Sequence, residues 1–209
     1  MKNATKHADE LKSFAKKLMK EHKPSASPEP MEPLNALVMA SMLYDVTDAR
    51  AEEAVKAIGQ EFVDLNEFRV ATDLEIQGLL GTRYPAIEQR VATVTMALNN
   101  IFEREHTLSL NRLKEVSKRD ARQFLRDLPE VHPFVEAYVM LMAFEGTAMP
   151  VDDTILDYLK EHEIVEEETT IIEAQKFLEN NLKAEEVGPF FHAIRAASLE
   201  AGKRKKAKA

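Results

Sequence analysis

Two adjacent carboxylates, Asp152 and Asp153, follow Pro150-Val151 and precede the apolar stretch that opens at Thr154. Aspartate there can cap a helix by accepting a free backbone N–H, and a carboxylate held at such a point can also stabilise developing positive charge. A run of cations, Arg112, Lys114, Lys118, Arg119, Arg122 and Arg126, outnumbers Glu115, Asp120 and Asp127 just ahead of Leu128 and could neutralise phosphates, or form only a solvated helix face. The six histidines, His7, His22, His106, His132, His162 and His192, show no spacing typical of a metal site, and no metal or cofactor is expected. The chain has no cysteine, which excludes disulfides, thiolate nucleophiles and cysteine-ligated iron–sulfur clusters. It has neither a glycine-rich nucleotide loop nor a Ser/His/Asp order that points to acyl transfer.

The segment from Leu128 to Asp153, LPEVHPFVEAYVMLMAFEGTAMPVDD, resembles the helix-hairpin-helix motif of the endonuclease III-like DNA glycosylases. Leu128, Pro129 and Val131 stand in the hairpin frame, Ala143-Phe144 match within the second helix, and Val151-Asp152 fall on the Val-Asp pair that carries the catalytic aspartate. The resemblance implies an all-α fold of two subdomains with an active cleft between them, into which Asp152 would project. It implies base-excision chemistry, with Asp152 stabilising an oxocarbenium-like sugar or activating water.

Three departures alter that expectation. Phe134 occupies the place of the lysine whose amine would attack the sugar, so an abasic-site lyase step has no nucleophile there. Glu130 and His132 replace the two hairpin glycines, which would bring backbone N–H groups to a phosphate, and Pro133 removes a further donor. The missing cysteines leave out the family's C-terminal cluster. Two readings follow. One is a divergent, at most monofunctional, DNA N-glycosylase that uses Asp152. The other is a catalytically inactive helical domain that binds DNA or protein.

Double-stranded DNA, weakly held, is the expected partner, with contacts from Glu130, Val131, His132, Phe134, Arg112, Lys114, Lys118 and Arg119. Tyr84, in the loop Gly81-Thr82-Arg83-Tyr84, stands where the resemblance brings the substrate strand and could stack on a base, or only pack on a neighbour. Met42 takes the place where the family often has a polar residue that fills the gap left by an extruded base; core packing is the alternative.

The elements that must position these residues read as helices throughout. Six glycines in 209 residues are few, and no strand alternation or fixed repeat is sustained. An amphipathic helix over 5–22 ends at Lys23-Pro24 and the linker SASPEP. Leu34 to Leu43 is apolar on nearly every side and reads as buried. Asp64-x-x-Glu67 and Thr72-x-x-Glu75 fit capping boxes, Gly81 ends the second helix, and Pro85 opens a helix to about Glu105. Ser117 caps a helix over 118–126, and Pro133 opens another that runs to Phe144 and stops at Gly146. Helices over 154–162, 170–182 and 184–200 follow, the last bent or broken at Gly188-Pro189. The expected organisation is an N-terminal helix and linker (1–30), a six-helix-barrel-like subdomain (34–131), a C-terminal module (132–200) that packs with the N-terminal helix, and a disordered basic tail (201–209).

Net charge is −8, and it is uneven. Residues 1–30 carry seven Lys against four acids, residues 31–131 twelve basic against seventeen acidic, and residues 132–209 nine against fifteen. A DNA-binding surface on this body must therefore be a local patch. No apolar run approaches the roughly 20 residues of a membrane span and no apolar signal region follows the N-terminal lysines, so a cytoplasmic protein is expected.

Overall fold

The computed structural model describes residues 4–23 and 30–206, with the side chains of 7–23 and 30–203. Linker residues 24–29 and the last three residues of the basic tail lie outside this range. The described residues are all-α, with eleven α-helices, one 3-10 turn and no strand. No helix among them is long and apolar enough to cross a membrane.

Contacts divide the chain into two compact units, one of residues 31–144 and one of residues 1–30 with 145–209. The boundary falls after Phe144 rather than between 131 and 132. The reason is the helix that begins at Pro133: six of the seven residues 134–140 are buried apolar or aromatic, so it needs a partner within its own unit.

In the unit of residues 31–144, α2 (Pro33–Leu43) is central. Glu32 caps it, accepting from the Asn35 N–H at 2.9 Å. Its buried faces pack against α3 (Asp48–Glu61), α6 (Ile87–Glu105) and α8 (Pro133–Ala143). The short helices α4 (Leu65–Val70) and α5 (Asp73–Leu80) lean on α6. Both expected caps form, with one change of partner. Thr72 and Glu75 make the full reciprocal box, whereas Glu67 reaches past Asp64 to the Val63 N–H at 2.6 Å. Helix α6 starts two residues after Pro85 because Ala86 takes a left-handed conformation, φ 48°, at its N-cap. A 3-10 turn over Asn111–Lys114 and α7 (Lys118–Arg126) complete the unit, and α7 packs on α8. Helix α8 ends one residue earlier than expected, and the left-handed residue beyond it is Glu145, φ 50°.

In the other unit, α1 (Ala4–Glu21) and α9 (Asp153–Glu161) both pack on α11 (Ala184–Lys206), with α10 (Ile171–Asn181) against α1 and α9. Its core includes Leu11, Leu18, Ile155, Leu159, Phe190, Phe191 and Ile194. Helix α11 is not broken at Gly188-Pro189. Pro189 lies inside it, flanked by the buried Val187, Phe190 and Phe191, whose burial outweighs the one backbone bond that proline cannot donate. The helix also runs to Lys206, so the first part of the basic tail is helical rather than disordered: Lys, Arg and Ala are good helix formers, and cations favour the negative end of the helix dipole.

Candidate functional site

The hairpin keeps its left-handed turn without its glycine. Glu130, at the first glycine position, has φ 55° with its side chain exposed, a conformation that costs an L-residue about 1–2 kcal/mol. His132, at the second, lies in extended backbone, φ −63° and ψ 140°, where any residue fits. Its Nδ1 accepts the Phe134 N–H at 3.1 Å, and its ring stacks on Tyr44 with centroids 4.7 Å apart and planes within 3°. The next donor, the Val135 N–H, bonds back to the His132 carbonyl at 2.8 Å. Pro133 has no N–H to offer. The backbone donors that could cradle a phosphate at the start of α8 are thus engaged within the protein. Val131, between these residues, is half-buried.

Three of the cations ahead of the hairpin pair with carboxylates, Arg112 and Arg126 while remaining exposed. Glu136, 3% exposed on α8, pairs with Arg122 and, at 3.4 Å, with Arg126. Arg112 forms a fork with Glu105, both N···O distances 2.6 Å; its hydrogen bonds hold the Glu105 carboxyl below the usual range and raise the guanidinium's own pKa. Arg112 is therefore committed to a carboxylate rather than offered to a phosphate. Lys114, Lys118 and Arg119 are exposed.

Three residues expected at the DNA surface are core residues instead. Phe134 is 0% exposed, its ring 5.8 Å from Tyr138 and 6.4 Å from Tyr44. Met42 is 0% exposed, which supports the packing reading for it. Tyr84 does not stand free in its loop: it is 5% exposed, its hydroxyl donates to the Met42 carbonyl at 2.8 Å, and Arg50 lies 5.0 Å from its ring centre. Burial raises the Tyr84 phenol's pKa, with Arg90 opposing. The apolar α2 and the φ reversal at Ala86 draw this tyrosine inward, and the loop's polar letters hid that.

Asp152 is the N-cap of α9 and is 0% exposed. One carboxylate oxygen accepts the Ile155 N–H at 2.9 Å, and the other faces Nη1 of Arg195 at 3.4 Å. Arg195, on α11, is itself 4% exposed. The arrangement offers a reacting sugar no open carboxylate edge, because the cap and the guanidinium take one oxygen each.

The sequence reading missed Arg195, Glu136 and Arg90. Arg90 is 2% exposed, donates to the carbonyls of Pro85, Ser41 and Tyr44, and lies 3.6 Å over the Tyr44 ring, so it satisfies carbonyls at the end of α2. Glu136 and Arg195 are each a lone charge inside an apolar helical run, such as FFHAIRAASL around Arg195, whereas Arg90 follows Glu88 and Gln89 and carries no such signal. The lone charge is a usable signal of a buried ion pair, since a charge on a core face needs a partner. Among the described residues no group of three or more His, Asp or Glu side chains is arranged to hold a metal.

No family model matches the chain, and no curated protein sequence does. Solved structures do match in fold. A trapped endonuclease III–DNA covalent intermediate superposes with a TM-score of 0.71 at 14% identity, over 90% of this chain and 84% of that one. The 8-oxoguanine glycosylase/lyase of Clostridium acetobutylicum with double-stranded DNA gives 0.73 at 13% identity, over 96% and 71%. A thermostable thymine-DNA glycosylase gives 0.65 at 16% identity, over 93% and 87%. The chain has the all-α fold of the helix-hairpin-helix DNA glycosylases, without the cysteines of an iron–sulfur cluster.

Proposed function

We propose that this chain is a catalytically silent version of the glycosylase fold, a helical binding domain that neither excises bases nor cleaves abasic sites and touches duplex DNA only weakly. The observation that carries this reading is Asp152, fully buried, with one oxygen on the Ile155 N–H and the other toward Arg195. An oxocarbenium-like sugar needs a carboxylate whose charge is free to act on it. Here that charge already serves a helix end and a buried guanidinium. Phe134 in the core leaves no amine at the lyase position, and the donors that open α8 are occupied by His132. Weak DNA contact would rest on Lys114, Lys118 and Arg119, without base-specific readout.

One observation favours a second reading, a monofunctional N-glycosylase in base-excision repair. Asp152 keeps its place after Val151 at the first turn of α9, where the family frame puts the catalytic carboxylate. The test is fluorescence anisotropy of labelled undamaged and abasic duplexes together with a base-release assay on the same duplexes. Weak, salt-sensitive binding of both without release supports the silent reading. Preferential binding of damaged duplex with release of a base supports the second.

A further inference from the structure

Residues of α3, α4 and α5 and their connections line a groove of about 470 Å³, apart from Asp152 and the hairpin. Its apolar lining is Phe62, Val70, Ala71 and Leu79, and its rim carries Glu61, Glu67 and Glu75. The volume is that of a binding cleft rather than a packing defect. Of the three most exposed large apolar side chains of the described surface, Val70, 64% exposed, lines the groove, and Val63, 93%, and Leu74, 80%, are chain neighbours of the lining residues Phe62 and Glu75. Single exposed apolar residues are ordinary, but three within twelve positions, one of them on the wall of a groove of mixed apolar and acidic lining, mark a docking surface.

The rim identifies the occupant's chemistry. The Glu75 carboxyl is held below its usual range by the Thr72 backbone N–H and hydroxyl, so it stays ionised at neutral pH. Glu67 accepts the Val63 N–H and Glu61 is exposed, so negative charge surrounds the apolar lining. Nucleic acid and anionic membrane surfaces are repelled by such a rim. We propose that this groove docks an amphipathic, lysine- or arginine-bearing segment of a partner protein, with apolar side chains on Phe62, Val70 and Leu79 and cations on Glu61, Glu67 and Glu75. This deepens the reading of the chain as a binding domain, and its test reads peptide rather than DNA, so either can fail alone.

The probe is a fluorescein-labelled synthetic helix of about 18 residues with leucines at i, i+3, i+4 and i+7 spacing and lysines elsewhere. Matched controls carry Glu for Lys, or Ala for Leu. The full chain should bind the Leu/Lys helix at least about tenfold more tightly than either control, as an apolar anchor with complementary charge requires. Val70→Asp decides the mechanism, because it adds a negative charge while spoiling the apolar lining. Groove docking predicts at least about tenfold weaker binding for this variant, and long-range attraction to an acidic body predicts tighter binding. Glu61→Lys should weaken binding as well, and Lys176→Ala, exposed on α10, should leave it unchanged. Circular dichroism confirms that the variants, all at exposed positions, remain folded. Unchanged or tighter binding by Val70→Asp overturns the proposal. So does sedimentation showing that the wild-type chain self-associates through this face and Val70→Asp does not, which would make a second copy the occupant.

Discussion

Asp152 holds its charge where removing it exposes two debts at once, an uncapped helix and a buried guanidinium. Asp152→Ala is expected to destabilise the fold by about 3–5 kcal/mol, the range for breaking a buried ion pair. Asp152→Asn keeps an acceptor for the Ile155 N–H but loses the charge facing Arg195, and should cost about 1–3 kcal/mol. A pure capping aspartate would instead tolerate Asn with little loss, so chemical denaturation of the two variants separates the roles. Glu130 gives a prediction of opposite sign. Its φ of 55° suits glycine, and Glu130→Gly should stabilise by up to about 1 kcal/mol, the relief of strain being partly offset by the freer unfolded chain. A loss of stability on that change would show that the Glu130 side chain is held by more than the turn.

At the scale of elements, the sequence made the caps and the central helix legible. Thr72 and Glu75 are adjacent enough for their bonds to form whatever the rest of the chain does, and α2 is so apolar that only burial suits it. Boundaries set by a single backbone reversal were not legible. Nothing in the letters says that Ala86 turns left-handed and delays α6, or that α11 carries Pro189 without breaking. The same limit applied to the candidate site: frame and residue type located Asp152, but its partner Arg195 lies 43 positions away, a pairing only the fold creates. The capping boxes also predict a pH response. Backbone and hydroxyl bonds from Thr72 and Thr170 lower the Glu75 and Glu173 carboxyls. Their contribution is therefore complete above the ordinary carboxylate range and fades as pH falls through the lowered folded values. Thermal melts from pH 7 to pH 3 should fall less steeply for the Glu75→Gln, Glu173→Gln double variant than for the wild type, because glutamine can keep the bonds of the box but does not titrate. Parallel curves would mean that these boxes do not titrate with folding.

For the whole molecule, a body of net charge −8 carries Lys114, Lys118 and Arg119 exposed on the 3-10 turn and α7, beside the exposed Arg112 and Arg126, whose charge Glu105 and Glu136 offset. Duplex affinity should therefore be weak, with a log–log salt slope no steeper than about −3 from this patch at roughly 0.9 per phosphate. Changing Lys118 and Arg119 together to Ala should flatten the slope by about 2. A slope that these changes leave untouched would place the contact elsewhere. The fold then holds Asp152, Glu136, Arg90 and Arg195 turned inward, onto helix ends and partner charges. The most direct measurement is base release and borohydride trapping on duplexes carrying uracil, alkylated purines or abasic sites, with the wild-type chain and Asp152→Asn in parallel. The account predicts no released base and no trapped adduct from either protein. Excision by the wild type that disappears in a folded Asp152→Asn protein would contradict it.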